Sequence, residues 1–240
     1  MAPVSTPRRI NPNNICLPVR DFFHDQLSAP VIKNLLWDVD GTLFDTYPAI
    51  TYAISKTLGK MGASAALNVI DGLARQSIDY CLGTLSQRFK LDPDLLRLRF
   101  AESYRTIPPA NQPLFPGVRE VCEWTHAHGG RNIIVTHRAI SSTRSLLEAH
   151  EMTSSFDAIF SVEQGYPRKP DPALLEAAIR QFKLEQAETL MIGDRDLDIQ
   201  AGRAAGVQTC LFGRVQLSTP ADYRIDRYDQ LLNLLRNKNE

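Results

Sequence analysis

Leu35-Leu36-Trp37-Asp38-Val39-Asp40-Gly41-Thr42-Leu43-Phe44-Asp45 decides the reading of this chain. A short apolar run ends in two aspartates one residue apart, and a Gly-Thr turn follows at once. Alternate side chains of a strand share a face. Asp38 and Asp40 are therefore expected to look into one pocket where the strand runs out. Gly41 permits a tight turn and brings backbone N–H groups close to a bound anion. Two like charges at this spacing are costly unless a cation lies between them or one holds a proton. The pattern points to metal-assisted phosphoryl or acyl transfer, with one carboxylate as nucleophile and the other as acid/base.

The rest of the composition narrows the class. The chain has 240 residues, 43% hydrophobic and 22% charged, long enough for one sizeable core or for one core plus a small inserted lobe. Lys+Arg and Asp+Glu both number 27, so the net charge is zero and a general basic footprint for nucleic acid or anionic membrane is absent. No run approaches the length of a membrane span. Cys16, Cys81, Cys122 and Cys210 are scattered, with neither a C-x-x-C pair nor zinc-ligand spacing. They fit a reducing compartment and small apolar roles. The first 20 residues carry Arg8, Arg9 and Arg20 and no acid, but Pro3, Pro7, Pro12 and Pro18 oppose the amphipathic helix of a transit peptide. The expectation is a cytoplasmic protein. Its residues 1–30 form a partly disordered extension, in which Phe22, Phe23 and Leu27 could dock as a short helix.

Working outward, apolar β-rich runs lie at 34–39, 132–136, 158–161, 189–192 and 207–212, with a last short one at 223–225. Helical periodicity separates the later runs, at 118–128, 141–150, 171–182 and 197–205, and a terminal helix carries Leu231, Leu232, Leu234 and Leu235. Strands alternating with helices imply an α/β fold, a Rossmann-like parallel sheet flanked by helices. The interval from Phe44 to Pro116 breaks that alternation. It reads as helices at 49–61, 68–73, 77–89 and 93–104, with proline-rich connections on both sides. The expected division is a core from 31–46 and 113–240, with a small helical cap domain inserted at 47–112.

Ligands of a parallel α/β sheet bind beyond the carboxyl ends of its strands. After the first run comes Asp38-Val39-Asp40; after the second, Thr136-His137-Arg138; after the third, Arg168-Lys169-Pro170-Asp171-Pro172; after the fourth, Gly193-Asp194-Arg195-Asp196-Leu197-Asp198. Carboxylates, a hydroxyl and a lysine are thus projected to one edge.

This combination resembles the haloacid dehalogenase-like phosphohydrolases over about residues 33–226, in the helical-cap subgroup and close to its phosphoglycolate phosphatase-like members. The resemblance implies that Asp38 attacks phosphorus and that Asp40 protonates the leaving alkoxide and then activates water. It implies Mg²⁺ held by Asp38, Asp194, Asp198 in a supporting or water-mediated place, and the Asp40 carbonyl oxygen. Gly41, Thr42, Thr136, His137 and Lys169 would bind the phosphoryl group. Asp194 doubles as a candidate N-cap of the following helix, and Asp196 is read as an exposed first-turn acid. Where many relatives carry Asn, this chain has His137, whose backbone N–H can bind phosphate and whose ring either meets substrate or supports the loop. Arg168 and Arg195 add charge that either meets a second substrate anion or is solvated. Phe44, Tyr47, Tyr52 and Arg75 are candidate contacts to the leaving group, with core packing or a cap-surface role as the preferred reading of each.

An acid at Asp40 favours phosphate-ester hydrolysis over dehalogenase or phosphonatase chemistry, because an alkoxide needs a proton. No His lies between Asp40 and Gln112, which demotes the sugar-phosphate mutases. The expected function is a Mg²⁺-dependent phosphatase acting on a small phosphorylated metabolite, phosphoglycolate-like or a sugar phosphate, as a monomer or homodimer. A nucleotidase or pyrophosphatase of the same fold, and a catalytically quiet phosphate-sensing or scaffold protein, remain as alternatives.

Overall fold

The computed structural model describes residues 31–239. The expectations for Cys16, for the docking residues Phe22, Phe23 and Leu27, and for a disordered extension lie outside the described residues. Six parallel strands form one sheet: β1 (Asn34–Trp37), β2 (Asn132–Thr136), β3 (Ala158–Ser161), β4 (Thr189–Gly193), β5 (Gln208–Phe212) and β6 (Tyr223–Ile225). Their spatial order is β3-β2-β1-β4-β5-β6, so the direction of winding reverses at β1. That switch point is where a doubly wound sheet opens a crevice for ligand.

The sheet is buried on both faces, as a parallel sheet must be. Leu35, Trp37, Ile134, Leu190 and Ile192 face one apolar core, which is completed by α5 (Val118–Ala127), α6 (Ile140–Ala149) and α9 (Tyr228–Asn239). Leu36, Ile133, Val135 and Met191 face the other, under α7 (Ala173–Phe182) and α8 (Asp196–Ala204). The strand sequences are continuous apolar runs, and the alternating direction of their side chains sorts the residues between the two cores. Within the first core, Trp37 Nε1 donates to Asn132 Oδ1 at 3.1 Å, and Asn132 Nδ2 donates to the Cys122 carbonyl at 3.0 Å. A fully buried amide thus ties β1, β2 and α5 together.

Between β1 and α5 lie four helices, α1 (Tyr47–Lys60), α2 (Leu67–Gln76), α3 (Ile78–Phe89) and α4 (Pro93–Arg105). They close on an apolar centre of their own that includes Ile54, Leu58, Ile70, Leu85 and Leu96. Ser77 and Asp92 cap α3 and α4, accepting from the Tyr80 and Leu95 N–H groups at 2.9 and 2.7 Å. Among the described residues, no helix is long and apolar enough to cross a membrane.

Replacing Asn132 by Ala would leave the Trp37 indole N–H and the Cys122 carbonyl without these partners. The expected loss is about 1–3 kcal/mol for each group left unpaired. Urea denaturation measures it, and a loss below about 0.5 kcal/mol would show that the amide does not bind the three elements.

Candidate active site

The first strand ends at Trp37, one residue before the aspartates, so the turn and not strand alternation aims the two carboxylates. The Val39 carbonyl accepts from the N–H groups of Thr42, Leu43 and Phe44, and Gly41 N–H donates to the Phe44 carbonyl at 2.9 Å. Gly41 has φ +77°, and a Cβ there would lie 2.3 Å from Asp194 Oδ2 and 2.4 Å from the Tyr47 ring. Glycine is therefore required both by the backbone conformation and by the close approach of Asp194.

Asp38, Asp194 and Asp198 converge, with one carboxylate oxygen of each lying within 4.8 Å of the others. Asp38 is supplied by the turn after β1, Asp194 by the end of β4 and Asp198 by the first turn of α8. Asp194 is not the N-cap of α8. The helix starts at Asp196, and it is Asp198 that reaches back, accepting from Arg195 N–H at 3.2 Å. Lys169, on the loop between β3 and α7, is buried against the cluster. Its Nζ donates to Asp38 Oδ1 at 2.7 Å and to the Val135 carbonyl at 3.1 Å, and stands 2.6 Å from Asp198 Oδ1. The Arg195 guanidinium lies 3.8, 3.6 and 3.9 Å from oxygens of Asp38, Asp194 and Asp198, at ion-pair but not hydrogen-bond distance.

Three buried carboxylates thus meet two cations. Burial raises Asp38 above the usual carboxylate range against the pull of Lys169, and it pushes Asp194 up to about 8 against the pull of Arg195. Burial opposes the Lys169 charge as well, but Asp198 and Asp38 outweigh it and hold the ammonium above its ordinary range. Asp38 Oδ2 and Asp194 Oδ1 are buried without a hydrogen-bond partner, and Asp198 Oδ1 has only the off-angle contact with Nζ. Orphaned anionic oxygens of this kind fit a hard divalent cation, which takes oxygen ligands and keeps some water.

Asp40 stands apart from that cluster. Its carboxylate is held by Thr46 Oγ1 at 2.7 Å and by the Arg138 guanidinium, whose Nη2 and Nε reach Oδ1 at 2.6 and 3.1 Å. Burial opposes the charge of Asp40, yet Arg138 and the two sets of hydrogen bonds prevail and hold it below the usual range. Its side chain is therefore not a member of the carboxylate set facing the cation position, and only its backbone oxygen remains from the metal expectation.

The expected phosphate binders divide. Thr136 is buried at the end of β2, and its hydroxyl accepts from Arg138 N–H at 3.1 Å, which leaves the hydroxyl proton to be donated elsewhere. Lys169 is in contact with Asp38. The Gly41 and Thr42 N–H groups are instead consumed in closing the turn, at 2.9 and 3.3 Å, because the chain reverses direction there. The Val39 and Asp40 N–H groups next to Asp38 carry no hydrogen bond among the described residues. They were missed in the sequence; counting the amides that a turn closing on Val39 leaves over would have found them. The His137 ring supports the loop: its Nε2 accepts from Lys169 N–H at 2.7 Å. Burial, with Lys169, Arg168 and Arg195 nearby, drives the imidazole down to about 2 and keeps it neutral.

Asp196 ties the 213–221 segment to α8, accepting from the Ser218 and Thr219 N–H groups at 3.1 and 3.2 Å, a structural role. Phe44 is core, Tyr52 is exposed, and Arg75 lies over the Tyr47 ring at 4.3 Å. Tyr47 does more than pack: its Oη donates to Asp194 Oδ2 at 3.0 Å. A cavity of about 220 Å³ opens over Asp40, His137 and Arg195, roofed by Ile50, Ile78 and Phe100 of the helical block.

A family model described as haloacid dehalogenase-like hydrolase matches residues 35–212, a span that contains every residue of this site. The chain belongs to the haloacid dehalogenase-like hydrolase family. It is 34% identical to a phosphoglycolate phosphatase of Nitrosospira multiformis over 73% of this chain and 80% of that protein. A phosphoglycolate phosphatase of Cereibacter sphaeroides is 27% identical over 86% of this chain and 99% of that one. The solved structure of a HAD-superfamily hydrolase from Geobacter sulfurreducens superposes with a TM-score of 0.68 at 22% identity, covering 85% of this chain and 100% of that one, a likeness of fold.

In this hydrolase the buried ammonium is the main compensation within hydrogen-bond reach of Asp38. Lys169→Met is expected to lower the stability of the metal-free protein by about 3–5 kcal/mol, the cost of breaking a buried ion pair. A divalent cation that binds the native state, tested with excess Mg²⁺, would recover part of that loss. Urea titrations with EDTA and with Mg²⁺ measure both, and unchanged stability in EDTA would contradict this description.

Proposed function

We propose that this hydrolase is a Mg²⁺-dependent phosphatase that cleaves a small phosphomonoester, phosphoglycolate or a compound like it, through an aspartyl-phosphate on Asp38. The observation that carries the reading is the convergence of Asp38, Asp194 and Asp198 around buried oxygens without partners, with Lys169 locked against Asp38. The names of the relatives at 34% and 27% identity point to the same substrate class. The cavity, about 220 Å³, suits a metabolite of a few carbons better than a nucleotide or a protein side chain on its backbone.

Asp38, Asp194 and Asp198 would hold the cation, with the Asp40 carbonyl oxygen beside them. When bound, Mg²⁺ supplies positive charge that lets an anionic nucleophile approach an anionic phosphoryl group. Lys169 supplies fixed positive charge from the other side of Asp38. Thr136 Oγ and the Val39 and Asp40 N–H groups are the donors placed to receive phosphoryl oxygens. An Asp38 carboxylate oxygen attacks phosphorus, the bond from phosphorus to the ester oxygen breaks, and Asp40 delivers a proton to the departing alkoxide. Asp40 then takes a proton from water, whose oxygen attacks phosphorus. The bond to Asp38 breaks, and inorganic phosphate leaves. Asp40 as arranged here is ionised, the form used in the second step; the first uses its protonated form, which the Arg138 pair disfavours.

The helices at 47–112 act as a cap in this reading. Its apolar roof excludes bulk water from the reacting groups, and its closure selects the leaving group.

Hydrolysis of 2-phosphoglycolate and p-nitrophenyl phosphate tests the proposal. Activity should require Mg²⁺, vanish in EDTA, and fall at least about 1,000-fold in Asp38→Asn, since the nucleophile is removed. Hydrolysis that survives both EDTA and Asp38→Asn would overturn it.

A further inference from the structure

Arg138 is the most fully engaged cation of the site. It follows His137 in the loop after β2, and its side chain is 7% exposed. Each guanidinium nitrogen has a partner. Nε lies 3.1 and 3.2 Å from the two Asp40 oxygens, and Nη2 donates to Asp40 Oδ1 and to Tyr104 Oη, both at 2.6 Å. Nη1 donates to Ser142 Oγ at 2.6 Å. A planar fork with these partners cannot rotate without losing several bonds together.

The two carboxylate oxygens of Asp40 are treated unequally. Oδ1 receives Thr46 Oγ1, Arg138 Nε and Arg138 Nη2, which saturates it. Oδ2 receives only the 3.2 Å contact from Nε and keeps free acceptor capacity. Asp40 is thus presented through one open acceptor oxygen, the geometry needed to take a proton from water.

The other end of the fork reaches the helical block. Tyr104 is in the last turn of α4, and its hydroxyl donates in turn to Gln112 Oε1, in the segment that leads out of the block. Thr46, on the opposite side of Asp40, is the N-cap of α1, where the chain enters the block. Asp40 is therefore held from both connections of the block at once.

Building on the acid/base reading of Asp40, we propose that Arg138 is a positioning residue that aims Asp40 for hydrolysis of the phosphoenzyme, and that Tyr104 makes this aim depend on the seating of the helical block. Breakdown of the aspartyl-phosphate then takes place with the block down and Tyr104 on Arg138. Arg138 lines the cavity together with Asp40; in this proposal it acts through Asp40.

p-Nitrophenyl phosphate isolates the step, because nitrophenolate leaves without a proton and only the second half-reaction draws on Asp40. In Arg138→Gln, stopped-flow should show a burst of nitrophenolate approaching one equivalent per enzyme. A steady rate about 10-fold slower than wild type should follow, part of the usual worth of a general base. KM should fall with kcat, leaving kcat/KM within about 3-fold of wild type, because slowing a late step lowers both together. Tyr104→Phe keeps the ring but not the hydroxyl and should show the same pattern more weakly. A lower kcat with unchanged KM and no burst would mean that Arg138 only supports the fold, and would overturn the proposal. Asp40→Asn separates the two readings. If it bursts and Arg138→Gln does not, the positioning role alone is wrong. If phosphoenzyme forms on Asp38 and Asp40→Asn hydrolyses it at the wild-type rate, the acid/base reading falls and takes the proposal with it.

Discussion

Three carboxylates buried at the switch point of a parallel sheet, with a single ammonium in hydrogen-bond contact, are the constraint on which this protein depends. Charges of like sign are kept out of water only where something compensates them. Lys169 supplies part of that compensation and Arg195 adds more at a distance of 3.6–3.9 Å. The oxygens left without a partner make the site receptive to one more positive charge. Stability and chemistry are coupled there: the cation that would relieve the cluster is the one that would let Asp38 attack an anion.

The fold serves this cluster by bringing backbone very close to it. Gly41 and Gly193 leave room where a methyl group would stand 2.3 Å from Asp194 Oδ2 and from the Asp198 Cβ. Tyr47, at the start of α1, orients Asp194 from the helical block, and the neutral His137 ring fixes the Lys169 backbone. Position 137 thus holds the loop that delivers the ammonium. Asp40 is governed by a separate network through Arg138, Thr46 and Tyr104, so the two residues proposed as nucleophile and acid/base are positioned by different parts of the molecule.

Much of this was legible in the sequence, for identifiable reasons. The continuous apolar runs at 132–136 and 158–161 match β2 and β3 residue for residue, because the strands of a parallel sheet leave little latitude. Asp38, Asp194, Asp198 and Lys169 announce themselves because each follows an apolar run at the same edge of the sheet. The orientation of Asp40 was not legible. Its partner Arg138 lies 98 positions away along the chain, and nothing local says that a guanidinium will reach it. Tyr47 looked like packing for the same reason: its bond to Asp194 spans 147 residues. The turn that makes Gly41 and Thr42 conspicuous in the sequence also uses up their amides, which only the folded backbone shows.

The most direct test is a crystal structure of the enzyme with Mg²⁺ and beryllofluoride, a mimic of a phosphoryl group on a carboxylate. The account requires beryllium bonded to an Asp38 oxygen, Lys169 still against Asp38, and the cation in contact with Asp38 and Asp194. An adduct on any other residue, or a cation bound away from these carboxylates, would contradict it.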